Sequence, residues 1–136
     1  MENALKLFAF LLLCGLCHRG YAEGSCKLSD LAVTQTVVPG NVGGYPKYAV
    51  TVENRCICTQ IDVKVACRGF NSTMRVDPDV LRPDGDGKLC TLNGGGAIHM
   101  GPSYAVKFYY AWRSPFSFRP VSSTIACSMS PLGDDN

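Results

Sequence analysis

The sequence predicts an all-β fold, a single antiparallel β-sandwich stapled by three disulfides, and three observations lead there. Apolar and polar residues alternate with a period of two over most of the chain, and Gly and Pro clusters cut that alternation into short runs. Six cysteines remain once an N-terminal export segment is set aside. No stretch keeps apolar residues at helical spacing long enough to argue a helix; residues 78–82 have room for a single turn.

The export segment covers residues 1–22. Lys6 precedes an unbroken apolar run over residues 7–17, and Gly20-Tyr21-Ala22 supplies a small-x-small cleavage context. A membrane-spanning helix needs about 20 apolar residues, so this run is too short to remain as an anchor and reads as a cleaved signal peptide. The chain left behind, residues 23–136, is long enough for one domain and not two. The domain is placed at 23–127, followed by a polar tail at 128–136. Lys6, Arg19 and Glu2 leave with the signal, which lowers the formal net charge from +2 to +1. A near-neutral surface gives no electrostatic case for nucleic acid.

The elements follow in order. Residues 31–38 alternate and are rich in β-branched side chains, which favours a strand; residues 39–44, Pro-Gly-Asn-Val-Gly-Gly, form the turn after it. Tyr48, Val50 and Val52 alternate with polar or small partners until Asn54 and Arg55. Ile61, Val63 and Val65 share one face of a third strand that runs into Cys67. An extended piece is expected at 74–76, a Pro-bearing turn at 77–79, a loop at 83–87, and short apolar stretches at 89–92 and 97–100 on either side of Asn93-Gly94-Gly95-Gly96. The longest alternation, residues 104–112, puts Tyr104, Val106, Phe108, Tyr110 and Trp112 on one face and predicts a central strand. Residues 116–118 and 121–127 close the sandwich, and the short connections require antiparallel pairing.

Cys14 and Cys17 fall within the signal, leaving Cys26, Cys56, Cys58, Cys67, Cys90 and Cys127. An even count in an exported chain of this size marks a disulfide framework. Six cysteines allow 15 connectivities. Cys56 and Cys58 lie too close in an extended chain to bridge one another comfortably and are expected to take different partners. No Cys-x-x-Cys occurs and His99 is the one histidine after the signal, so a metal site is not expected.

Nothing assembles into a catalytic set. His99 has no nucleophile motif to partner it, and the paired carboxylates Asp77/Asp79 and Asp84/Asp86 flank a proline and a glycine as turn residues do. Asp84-Gly85-Asp86-Gly87 lacks the remaining oxygen ligands of a calcium loop, and the glycine run at 94–96 lacks the Gly-Lys-Ser/Thr of a phosphate cradle. No catalytic residue, metal or cofactor is expected. Asn71-Ser72-Thr73 is an N-glycosylation sequon, meaningful in an exported chain. On this strand Val106, Phe108 and Tyr110 read as core, whereas Trp112, Arg113 and Phe116, near Pro115 at a strand end, are candidate contacts for a partner.

Taken together, Tyr48-Ala49-Val50-Thr51-Val52-Glu53-Asn54-Arg55-Cys56-Ile57-Cys58, then Val63-Lys64-Val65-Ala66-Cys67-Arg68-Gly69-Phe70, Asp77-Pro78 with Leu81-Arg82, Cys90, Phe108-Tyr109-Tyr110-Ala111-Trp112, and Ser122-Ser123 before Cys127 resemble the plant Tapetum Determinant family. The resemblance runs from Cys26 to Cys127. It implies a secreted, cysteine-rich, non-enzymatic ligand in the apoplast, with no membrane anchor after signal cleavage, read by the ectodomain of a leucine-rich-repeat receptor kinase and controlling cell division or fate in plant reproductive tissue. The chain differs from the founding type in its close Cys56/Cys58 spacing. The alternative expectation is a cell-wall module that binds polysaccharide through exposed aromatics; a protease inhibitor is disfavoured because no short, constrained, basic loop is present.

Overall fold

The computed structural model describes residues 26–127; the expected signal peptide and the polar tail lie outside the described residues. Within them seven strands form two antiparallel sheets. β1 (Leu31–Val42), β2 (Tyr45–Asn54) and β6 (Val106–Ala111) make the first, in the order β1-β2-β6. β4 (Leu81–Pro83), β5 (Leu89–Leu92), β3 (Thr59–Ala66) and β7 (Pro120–Ala126) make the second, in the order β4-β5-β3-β7.

The period-2 pattern is the cause of the layering. Tyr48, Val50 and Val52 of β2 and Val106, Phe108 and Tyr110 of β6 point inward, where they meet Val63 and Val65 of β3, Cys90 and Leu92 of β5 and Leu81 of β4 in one core. Phe118 is fully buried in the same cluster, at a backbone φ of 51° that aromatic residues rarely adopt. Its ring lies edge-on to Phe108, Tyr110 and Phe70, and that burial offsets the backbone cost.

Four expectations are corrected. The first strand does not stop at Val38: it steps over Pro39 and Gly40 as a bulge and resumes at Asn41 opposite Pro46, so the turn shrinks to Gly43 and Gly44. Both have positive φ, 61° and 85°, as a tight two-residue hairpin turn demands. Ile61 does not share the inward face of Val63 and Val65. Asp62 takes φ 57° and the pairing with β7 shifts there, so Gln60, not Ile61, is the buried residue before the bulge. The long aromatic alternation is a strand only over Val106–Ala111 and lies at the sheet edge, because β2 takes the centre and Tyr104 belongs to a 3₁₀ turn at Pro102–Tyr104. Residues 74–76 and 116–118 are loops, and the 97–100 stretch makes only isolated bridges, Ile98 to Gln60 and Met100 to Asn54.

Candidate binding surface

Two ends of the sandwich carry the features a partner would meet. At one end, β2 terminates in Asn54, which is fully buried. Its Nδ2 donates to the carbonyls of Cys58 at 2.8 Å and Ile98 at 2.9 Å, and its Oδ1 accepts from the Cys56 N–H at 3.0 Å. Its own carbonyl accepts from the Gly101 N–H at 3.0 Å. One amide thus fixes the loop of residues 55–58 and the segment 98–101 against each other. Gln60, equally buried, does the same for the segment at Lys27 and for β7: Nε2 donates to the Lys27 carbonyl at 3.1 Å, and Oε1 accepts from the Ser123 hydroxyl at 2.6 Å. Buried amides of this kind hold structure only when their groups are satisfied.

Two disulfides complete this end. Cys26 bonds Cys56 and Cys58 bonds Cys127, so the adjacent cysteines do take different partners; the third bridge, Cys67 to Cys90, joins the far end of β3 to β5 inside the core. The sulfurs of Cys26, Cys58 and Cys127 all lie within 4.8 Å of one another, a clustering that comes from the two neighbouring bridges. On this fixed backbone Ile57 is 69 % exposed, Tyr104 59 % and Met100 49 %. The His99 ring lies edge-on to Tyr104 at 5.2 Å with its Nδ1 3.1 Å from the Thr59 hydroxyl, and Arg55, paired loosely with Glu53 at 3.5 Å, borders the patch. Sequence reasoning passed over Ile57, Met100 and Tyr104. Ile57 had a readable signal: with both flanking cysteines turned into bridges, the residue between them must point out.

The opposite end holds the three residues expected as contacts. Trp112 is half-buried, with Tyr45 at 5.4 Å and the Arg113 guanidinium 5.0 Å from its ring, so the indole is occupied by its own neighbours. Arg113 is exposed. Phe116 turns inward against Phe70, Tyr110 and Phe118. Its loop is held by Tyr110, whose hydroxyl accepts from the Phe116 N–H at 3.0 Å and donates to Gln35 Oε1, while Gln35 Nε2 donates to the Phe116 carbonyl at 2.8 Å. Burial pushes the Tyr110 hydroxyl up to about 12, only partly offset by the Phe116 bond.

The acidic loop is used internally. Asp84 accepts from the Thr91 hydroxyl at 2.6 Å and from Lys64 Nζ at 2.9 Å, and Asp86 accepts from the backbone N–H groups of Lys88 and Leu89. Burial alone would raise Asp84, but those two partners hold it below the ordinary carboxylate value. Turn formation accounts for Asp86, whereas Asp84 ties the loop to β3 and β5 through Lys64 and Thr91. Among the described residues no helix is long and apolar enough to cross a membrane.

The chain is similar to a protein of Oryza sativa subsp. japonica, TPD1 protein homolog 1A, at 30 % identity over 125 residues, which cover 86 % of this chain and 53 % of the relative. It therefore spans about half the length of the curated relative it matches. No solved structure matches it. Residues 27–128, which run from beside the first disulfide cysteine to just past the last, match the model of the Tapetum determinant 1 C-terminal region. All seven strands and both ends of the sandwich lie within that match, and the chain belongs to the Tapetum determinant 1 family.

Proposed function

We propose that this domain acts outside the cell as a protein ligand, without catalysis, and that the ectodomain of a leucine-rich-repeat receptor kinase reads it through the end built on Asn54 and the two neighbouring disulfides. The observation that carries this reading is the exposure of Ile57, Met100 and Tyr104 on a backbone fixed by two covalent bridges and a buried amide. Exposed apolar side chains held on a rigid frame bind with little ordering cost, which is what a small ligand needs from a limited surface. Family membership supports the ligand role, and a disulfide framework supports an oxidising, extracellular setting in the apoplast. Control of cell division or fate in plant reproductive tissue is the output the resemblance implies. The polysaccharide alternative would have to use Tyr104 and Tyr109, which are exposed, because Trp112 is covered by Tyr45 and Arg113.

The test is a binding assay of secreted, oxidised protein against a panel of leucine-rich-repeat receptor-kinase ectodomains. Ile57→Asp and Tyr104→Ala are expected to abolish capture while Arg113→Ala retains it. Equal binding by all three variants would reject this face. Capture by no ectodomain in the panel, together with retention on insoluble glucan, would reject the ligand reading.

A further inference from the structure

The connection between β3 and β4 spans the open side of the sandwich between β6 and β4, and a groove of about 480 Å³ runs beneath it. Its lining is part apolar, with Phe70, Met74, Val76 and Leu81, and part polar, with Ser72, Arg75 and Asn71 itself. That volume falls in the range of pockets that hold small ligands, about 300–1,000 Å³. Asn71 is exposed and begins the sequon Asn71-Ser72-Thr73. Its Oδ1 accepts from the Ser72 N–H at 2.8 Å, which leaves Nδ2, the atom that would carry a sugar, on the other branch of the amide.

From this juxtaposition we infer that Asn71 carries an N-linked oligosaccharide whose first N-acetylglucosamine occupies the groove. In the attachment step the Asn71 amide nitrogen, losing one proton to a base of the transferase, attacks the anomeric carbon of a lipid-pyrophosphate-linked oligosaccharide. The carbon–oxygen bond to the pyrophosphate breaks, and the lipid pyrophosphate leaves with the electron pair. The C–H face of the pyranose then lies on the apolar wall, chiefly Phe70 and Met74, with the sugar hydroxyls and Arg75 toward water.

The fold also dictates when the sequon can be used. In the folded chain the Thr73 hydroxyl donates to the Val42 carbonyl at 2.5 Å, with the Ala111 carbonyl at 3.4 Å, and the Thr73 N–H donates to the Ala111 carbonyl at 2.9 Å. Ser72 Oγ accepts from the Ala111 N–H at 3.1 Å. A sequon whose hydroxyl is committed to backbone partners is closed to a transferase, and Ala111 lies 38 residues downstream. Modification therefore precedes the docking of this segment on β6.

The inference rests on the extracellular reading above, and its test separates the two. The full chain is expressed from its own leader in a plant cell line, and the secreted product is analysed by mass before and after removal of N-glycans, beside Asn71→Gln. A mass loss confined to the unsubstituted protein is expected. Secreted protein trimmed to the single protein-linked sugar is then compared with Asn71→Gln for peroxide oxidation of Met74, with Met100 at the far end as internal reference. Oxidation of Met74 relative to Met100 should be several-fold slower when the sugar is present. Secreted protein without a glycan would overturn the modification, and equal Met74 oxidation would overturn its seat in the groove. A product retained in the cytosol would overturn the extracellular reading, and this inference with it.

Discussion

The two ends of the sandwich are closed by different chemistry. One is held by the Cys26–Cys56 and Cys58–Cys127 bridges and by the buried amides of Asn54 and Gln60; its apolar side chains, Ile57, Met100 and Tyr104, are left outside. The other is held by ring packing, with Phe70, Tyr110, Phe116 and Phe118 in mutual contact, together with the buried Cys67–Cys90 bridge, and those four rings are consumed in that packing while Val37 of β1 stays exposed. A covalent and hydrogen-bonded frame needs no large side chains to stabilise it. Those side chains are then available to a partner, whereas at the other end most of the ring surface is committed to neighbouring rings.

The strongest way to break this contrast is to remove one closure at a time. Replacing Cys58 and Cys127 together by Ala opens a loop of sequence separation 69, and chain entropy puts the loss at about 4.4 kcal/mol, against about 3.7 for the Cys26–Cys56 pair. Secreted yield and urea denaturation measure both. At the aromatic end, Phe118→Ala removes a fully buried ring and is expected to cost about 4 kcal/mol in the same denaturation experiment. If it costs under about 1 kcal/mol, the ring packing does not close that end.

Smaller effects sharpen the comparison. Asn54→Ala strands the Cys58 and Ile98 carbonyls and the Cys56 N–H, for an expected loss of about 2–3 kcal/mol. Amide hydrogen exchange should show faster opening of residues 55–58 and 98–101 while the β6 amides stay protected. Ile57→Asp, on an exposed site, should shift stability by no more than about 0.5 kcal/mol, so that any loss of receptor capture reports recognition and not unfolding. The mildest probe is alkali. The Tyr110 hydroxyl is raised from 10.0 to about 12 by burial, so its neutral form is favoured in the folded state. The stability this gives is complete below pH 10 and is lost as pH rises toward 12. Ionisation also ends its donation to Gln35. Near-ultraviolet absorbance and exchange at the Phe116 amide should therefore change together in that interval, and Tyr110→Phe should remove the transition.

Much of the fold was legible because its causes are local. Alternation over β2 and β6 needs only a half-buried sheet face, and a turn within residues 39–44 needs only residues that tolerate positive φ, although its place at Gly43-Gly44 was decided by the pairing of β1 with β2. The separate partners of Cys56 and Cys58 follow from reach along the chain. The bulge at Asp62 was not legible, since a run of Ile61, Val63 and Val65 looks the same with or without it; the pairing with β7 decides it. Nor does the alternation of residues 104–112 say whether its strand is central or at an edge.

The candidate surface divides along the same line. The cysteine set, the sequon at Asn71 and the turn carboxylates Asp84 and Asp86 were present in the sequence as residue types at fixed spacing. Whether Trp112 and Phe116 are free or engaged depends on Tyr45, Arg113, Gln35 and Phe70, residues brought to them from elsewhere in the chain. The sequence by itself determined the all-β class, the disulfide chemistry and the strand periodicity, because these arise from backbone geometry and neighbouring side chains. Only the tertiary structure decided which apolar residues remain outside. Exposure is settled by how the two sheets and their loops share a limited interior, and at one end two bridges and two amides left that interior closed without Ile57, Met100 and Tyr104.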